Sequence, residues 1–246
     1  MFVFNYNKYQ KVQYLNSSNR IAASVYNSFN SVIQYFDLAK VNRSLAEENA
    51  KLKSNFQASP NDEIKTDSTY RYISARVINN SVNKKNNYLT LNKGRKHGVF
   101  PDMGIVSPHG IVGVVARVSE SYSFGFSILN ARWGASAKLK KSGFYGPLEW
   151  SGDNYRLVKL VEIPFHVEMN VGDTIVTSGY SSVFPEGILV GTIQSFSKPE
   201  GESFYDINVK LATDFKSIRF VDVVDILDKE QIKELENKLL SGTANN

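Results

Sequence analysis

The sequence predicts a mainly β fold: a long N-terminal α-helix, two six-stranded β-barrels and a short C-terminal helix. Three observations carry this. Residues 19–57 contain neither Gly nor Pro, so nothing in them breaks a helix. From Tyr70 to Leu227 the chain turns into short runs of alternating apolar residues punctuated by Gly, Pro, Asn and Asp. Within that region a strand–turn–strand unit recurs, once at residues 102–118 (DMGIVSPHGIVGVVARV) and once at 171–196 (VGDTIVTSGYSSVFPEGILVGTIQSF).

The helix reads most clearly over YFDLAKVNRSLAEENAKLKSNF. With Leu38, Leu45 and Leu52 at heptad position d, position a holds Tyr35, Asn42, Asn49 and Phe56. Leu at d with Asn at a is the pattern of a parallel two-stranded coiled coil, in which paired amides fix the register at a cost in stability. Upstream, Val25, Phe29, Val32 and Phe36 form a shifted stripe, as a stutter or packing against another element would produce. A single amphipathic helix docked on its own domain is the other reading. Two successive Asn at a speak against it, because a core tolerates unpaired amides poorly.

Residues 1–57 are read as an apolar stub and coiled-coil helix, and the polar 58–69 segment, with Pro60, is a linker. About twelve strands are expected over 70–227, near 71–79, 87–92, 103–107, 110–118, 124–130, 134–139, 144–150, 155–162, 173–177, 188–197, 203–211 and 219–227. If each repeat copy opens its own unit, one barrel covers about 100–165. The other combines about 70–93 with 170–227, which makes the first barrel an insertion. A tandem split near Pro147 is the alternative. Gly104, Gly110 and Gly113 in one copy, and Gly172, Gly179, Gly187 and Gly191 in the other, are expected at barrel corners and close strand contacts. The tail, 228–246, opens with a capping box from Asp228 to Gln231 and continues as a short helix with Ile232, Leu235 and Leu239 on one face.

Composition narrows the chemistry. Of 246 residues 42% are hydrophobic, enough to bury a core, and thirteen Tyr with fifteen Phe suit pleated, half-buried surfaces. The absence of cysteine removes disulfide, thiolate and Cys-zinc chemistry. No apolar run of about 18 or more residues is present, so no membrane span is read. A net charge of +5 favours acidic partners or anionic surfaces without identifying one.

Ser178, in VTSG, raises the question of a nucleophile. A chymotrypsin-like order of His97 or His109, Asp153 and Ser178 exists, but the Gly two residues before the Ser of a nucleophile elbow is missing, as is an oxyanion loop. A secreted double-barrel serine hydrolase is therefore the minor reading. His97, His109 and His166 are too scattered for a metal site, and no phosphate-cradling Gly loop precedes a helix, so no cofactor is expected. SFGFSIL (123–129) lacks the basic-Gly lead of an RNA-recognition strand, and no nucleic acid is expected. Trp133, Trp150, Tyr145 and Tyr155 keep open a glycan-binding module, with core packing as their alternative role.

VNRSLAEENAKLK (41–53), ARVI (75–78), LTLNKGRKHGVFPDMGIVSPHGIVGVV (89–115), VGDTIVTSG (171–179) and FPEGILVGTI (184–193), in this order, resemble the rod-shape-determining protein MreC family. The resemblance implies a cytoplasmic stub, one membrane helix, a dimerising coiled coil and two barrels on the extracytoplasmic, periplasmic side of the inner membrane. The membrane helix is absent from this sequence, and the resemblance implies that its apolar stub is juxtamembrane. It further implies a non-enzymatic scaffold of the peptidoglycan elongation machinery. The partners so implied are a homodimer or higher self-assembly, class B penicillin-binding proteins, MreD, RodA and MreB.

Overall fold

The computed structural model describes residues 40–54, 70–181 and 183–227. Residues 40–54 form helix α1. Barrel one starts with β1 (Tyr70–Asn80), β2 (Asn86–Leu91), β3 (Gly104–Ser107), β4 (Gly110–Val118) and β5 (Ser123–Asn130). The chain then crosses to barrel two, built from β6 (Ser136–Leu139), β7 (Tyr145–Glu149), β8 (Leu157–Leu160), β9 (Thr174–Thr177), β10 (Leu189–Ser197) and β11 (Asp206–Leu211). It returns to barrel one for β12 (Phe220–Ile226). Both sheets close, in the orders β1-β12-β3-β4-β5-β2 and β10-β11-β8-β7-β6-β9.

The expected division into about 100–165 and about 70–93 plus 170–227 is corrected by this topology. The inserted barrel is β6–β11, and the strands near 103–130 belong with β1 and β12. The physical reason is long-range pairing. β12 lies antiparallel between β1 and β3, matching Tyr70 with Ile226 through Arg76 with Phe220 on one side and Val223 with Ile105 on the other. The split near Pro147 also fails, because Pro147 lies inside β7, which pairs with β6 and β8 within barrel two.

Alternation places the core. β2 buries Asn87, Leu89 and Leu91 with intermediate residues between them, and β11 buries Ile207, Val209 and Leu211 with Asn208 intermediate and Lys210 exposed between them. β3 and the first six residues of β4 break the pattern: GIVS and GIVGVV are buried throughout. Such continuous apolar runs suit strands covered on both faces. One face looks into barrel one and the other meets barrel two, where Gly104 abuts Val183 and Phe184 and Gly110 abuts Leu189. The polar groups at this junction are paired. Ser107 Oγ lies 3.0 Å from Thr213 Oγ1, Thr213 also donates to the Ile111 carbonyl at 3.3 Å, and Asn80 Nδ2 donates to the Phe215 carbonyl at 2.6 Å.

Candidate interaction surfaces

The end of α1 is built into barrel one. Ala50 is 3% exposed, and the Ser54 hydroxyl donates to the Ala50 carbonyl at 2.9 Å while accepting from the Tyr72 N–H at 3.0 Å. Lys53 Nζ reaches Asp222 Oδ2 at 2.6 Å and sits 5.9 Å from the Tyr72 ring centroid. The heptad residues present a different aspect. Leu45 is 50% and Leu52 46% exposed, and Asn42 and Asn49 are exposed as well. Tyr35, Leu38 and Phe56 lie outside the described residues, as do most of the stub, the 58–69 linker and the 228–246 tail.

The glycines fall into two geometries. Gly113 faces the Phe126 carbonyl across β4 and β5, and Gly191 faces the Lys210 carbonyl across β10 and β11, each so closely that a methyl group would overlap the oxygen. Gly104 makes room at the junction between barrels, whereas Gly110, Gly172, Gly179 and Gly187 have positive φ.

Ser178 is 2% exposed, and its hydroxyl donates to Ser136 Oγ at 2.7 Å and lies 3.3 Å from the Ser136 carbonyl. It accepts from the Tyr180 N–H at 3.2 Å. None of these partners is a histidine. His97 belongs to a 3-10 turn (Arg95–His97) that follows β2 in barrel one, His109 to the β3–β4 turn, and Asp153 to the exposed turn after β7. The structure thus places the three triad types without joining them. Among the described residues no group of three His, Asp or Glu is positioned to hold a metal. His97 is pushed below its ordinary value, first by burial and then by Lys93 and Lys96. Tyr70 is pushed up by burial and by the Glu186 carboxylate.

Aromatic residues gather on barrel two. Tyr145 and Tyr180, 55% and 73% exposed, lie ring against ring with centroids 4.6 Å apart and planes tilted by 56°. Tyr145 also borders an open groove of about 560 Å³ that Trp133 and Trp150 line. Three of the four aromatics singled out in the sequence therefore converge. Tyr155 does not join them; its ring carries Lys216 at 4.5 Å and its hydroxyl accepts from Arg156 at 3.0 Å. Sequence reasoning missed Tyr180, Glu149 and Glu162, the last two also lining the groove, since no local motif ties them together.

These features define a class: a double β-barrel in which one barrel is inserted into the other and the last turn of a helix packs on the first. A family model described as rod shape-determining protein MreC, barrel core, matches residues 77–225, and the chain belongs to this family. The cell shape-determining protein MreC of Listeria monocytogenes is 30% identical over 161 residues, covering 58% of this chain and 54% of that protein. Its counterpart in Haemophilus influenzae is 24% identical over 195 residues, covering 75% and 55%. The chain thus spans about half the length of these curated relatives. Among solved structures, Listeria MreC superposes with a TM-score of 0.58 at 23% identity, covering 90% of this chain and 96% of that one. A chain from the complex between penicillin-binding protein PBP2 and MreC of Helicobacter pylori gives 0.51 at 19% identity, covering 64% and 99%. At these identities the solved structures establish the fold. No helix among the described residues is long and apolar enough to cross a membrane.

Proposed function

We propose that this protein is a non-enzymatic scaffold of the bacterial cell-elongation machinery, dimerising through α1 and presenting its barrels to cell-wall synthases. The observation that carries the reading is the exposure of Leu45 and Leu52 on a helix whose Ala50 is buried on barrel one. The apolar heptad positions are left over once the helix is docked, and a second copy covers them. Asn42 and Asn49 then pair across the axis and hold the register. Residues Tyr35, Leu38 and Phe56 extend the same seam by sequence spacing.

A dimer holds two copies of each barrel at fixed spacing and raises the effective concentration of anything tethered to them. The complex of PBP2 with MreC in Helicobacter pylori supports a class B penicillin-binding protein as one partner. MreD, RodA and MreB follow from the family resemblance, as do anchoring at the inner membrane and a periplasmic location for the barrels. The glycines of both repeat copies serve the barrels and not a reaction.

The test is the molar mass of the chain by light scattering over a concentration series, against Leu45→Glu/Leu52→Glu. Both side chains are exposed in the single chain, so the variant keeps its fold. A dimer that becomes a monomer in the variant supports the reading. Equal mass in both sinks dimerisation through this seam.

A further inference from the structure

The groove on barrel two combines features that the scaffold reading does not use. Trp133, Tyr145 and the largely buried Trp150 line it, and Glu149, Glu162 and Arg132 supply its charges. The aromatic rings are held in place. Trp133 packs against Phe184 with centroids 6.3 Å apart, and Trp150 Nε1 donates to the Asn154 carbonyl at 3.0 Å. The charged groups are free: neither carboxylate nor the guanidinium has a side-chain hydrogen bond or ion pair among the described residues. Glu162 has φ of 64°, in the left-handed region that non-glycine residues seldom occupy. Strain of this kind persists where surrounding structure enforces it, and it clusters at ligand sites. Beyond the groove, Tyr180 continues the aromatic surface from Tyr145.

We propose that this groove binds a neutral oligosaccharide, its sugar faces stacked on Trp133 and Tyr145 and its hydroxyls donating to Glu149 and Glu162. Concave sites of about 300–1,000 Å³ with apolar walls and a few placed polar groups are the usual form of a small-molecule site. Flat aromatic rings suit the apolar face of a β-linked pyranose, and ionised carboxylates make strong hydrogen bonds to its hydroxyls. Two carboxylates against one guanidinium leave the groove acidic on a chain of net charge +5, which disfavours an anionic ligand. An extended peptide is disfavoured too. Barrel two is closed, so the groove offers no free strand edge with which a peptide backbone could pair.

The sequence supplies its own reporter, since Trp133 and Trp150 are its only tryptophans. The chain is titrated with a soluble β-1,4-linked N-acetylglucosamine tetramer while tryptophan emission is followed. A saturable change at millimolar concentration or below is expected. Tyr145→Ala and Glu162→Gln are each expected to weaken it about tenfold, the scale of one lost charge-assisted hydrogen bond or its equivalent. Tyr155→Ala, outside the groove, leaves it unchanged, and thermal melts verify that the variants fold. Absence of a saturable change overturns the proposal, as does a change that Tyr145→Ala and Glu162→Gln leave intact. Tyr145→Ala weakening capture of a purified penicillin-binding protein, with no response to saccharide, also overturns it and assigns the surface to a protein. The oligomeric state plays no part in these readouts, so the scaffold reading stands or falls separately.

Discussion

Lys53 Nζ lies 2.6 Å from Asp222 Oδ2, joining the last turn of α1 to the middle of β12, the strand that closes barrel one. Asp222 is buried, whereas the lysine remains partly in solvent. Removing the lysine strands a carboxylate that water reaches poorly. Lys53→Met is expected to lower unfolding free energy by about 1–2 kcal/mol, discounted for the exposed lysine. Asp222→Asn in the Lys53→Met background is expected to recover part of this. Urea denaturation of the single and double variants checks both.

Gly191 and Gly187 separate two reasons for glycine. A methyl group at Gly191 meets the Lys210 carbonyl of a paired strand, which can yield only by moving the sheet. At Gly187 φ is 85° and the space is open, so the cost is the left-handed backbone alone, about 1–2 kcal/mol. Gly191→Ala is expected to cost more than Gly187→Ala in thermal melts. Equal losses would remove the close-contact account.

Ser178→Ala is a stability variant. It deletes a hydroxyl bonded to Ser136 and leaves that serine without its partner, at a cost of about 1 kcal/mol. Ser136→Ala is expected to match it, with the double variant less than additive, as measured by chemical denaturation.

The His97 imidazole is disfavoured as a cation by burial and by Lys93 and Lys96. These effects outweigh the opposing pull of the Gly94 backbone and the Glu120 carboxylate. The unfolded chain therefore takes up the proton first as pH falls. The stabilisation is fully present above the ordinary histidine value of 6.5 and is lost as pH drops through the lowered folded value. An NMR titration should place His97 below 6.5, and Lys93→Gln/Lys96→Gln should move it back up.

Asn42→Leu/Asn49→Leu is expected to strengthen self-association while relaxing its register, because the amides at a contribute specificity at the expense of stability. Cysteine crosslinking along α1 reads the register, and light scattering reads the mass. A variant with unchanged association and register would exclude these residues from the interface.

Much of the architecture was legible because it is local. Alternation in NNYLTL and DINVKL marks strands regardless of what they pair with, and twelve strands among the described residues accommodate two barrels of six. The division between barrels was not legible, since the pairing of Tyr70 with Ile226 depends on residues at opposite ends of the β region. The repeat misled for the same reason. β3–β4 follows two strands of its own barrel and β9–β10 follows three, so neither copy opens its unit. At the groove, composition alone nominated Trp133, Tyr145 and Trp150. Glu149 and Glu162 gave no signal, because the turn between β7 and β8 that brings them together leaves no spacing motif.

The insertion of barrel two has a consequence for synthesis. A ribosome emits β1 through β5 and then the whole of another domain before β12 appears. Until that last strand arrives, β1 and β3 each lack a neighbour, and barrel one stands as an open sheet with two unpaired edges, the form most prone to join other chains. Barrel two, contiguous in sequence, can close first. The domain whose strands are made first is therefore the one completed last.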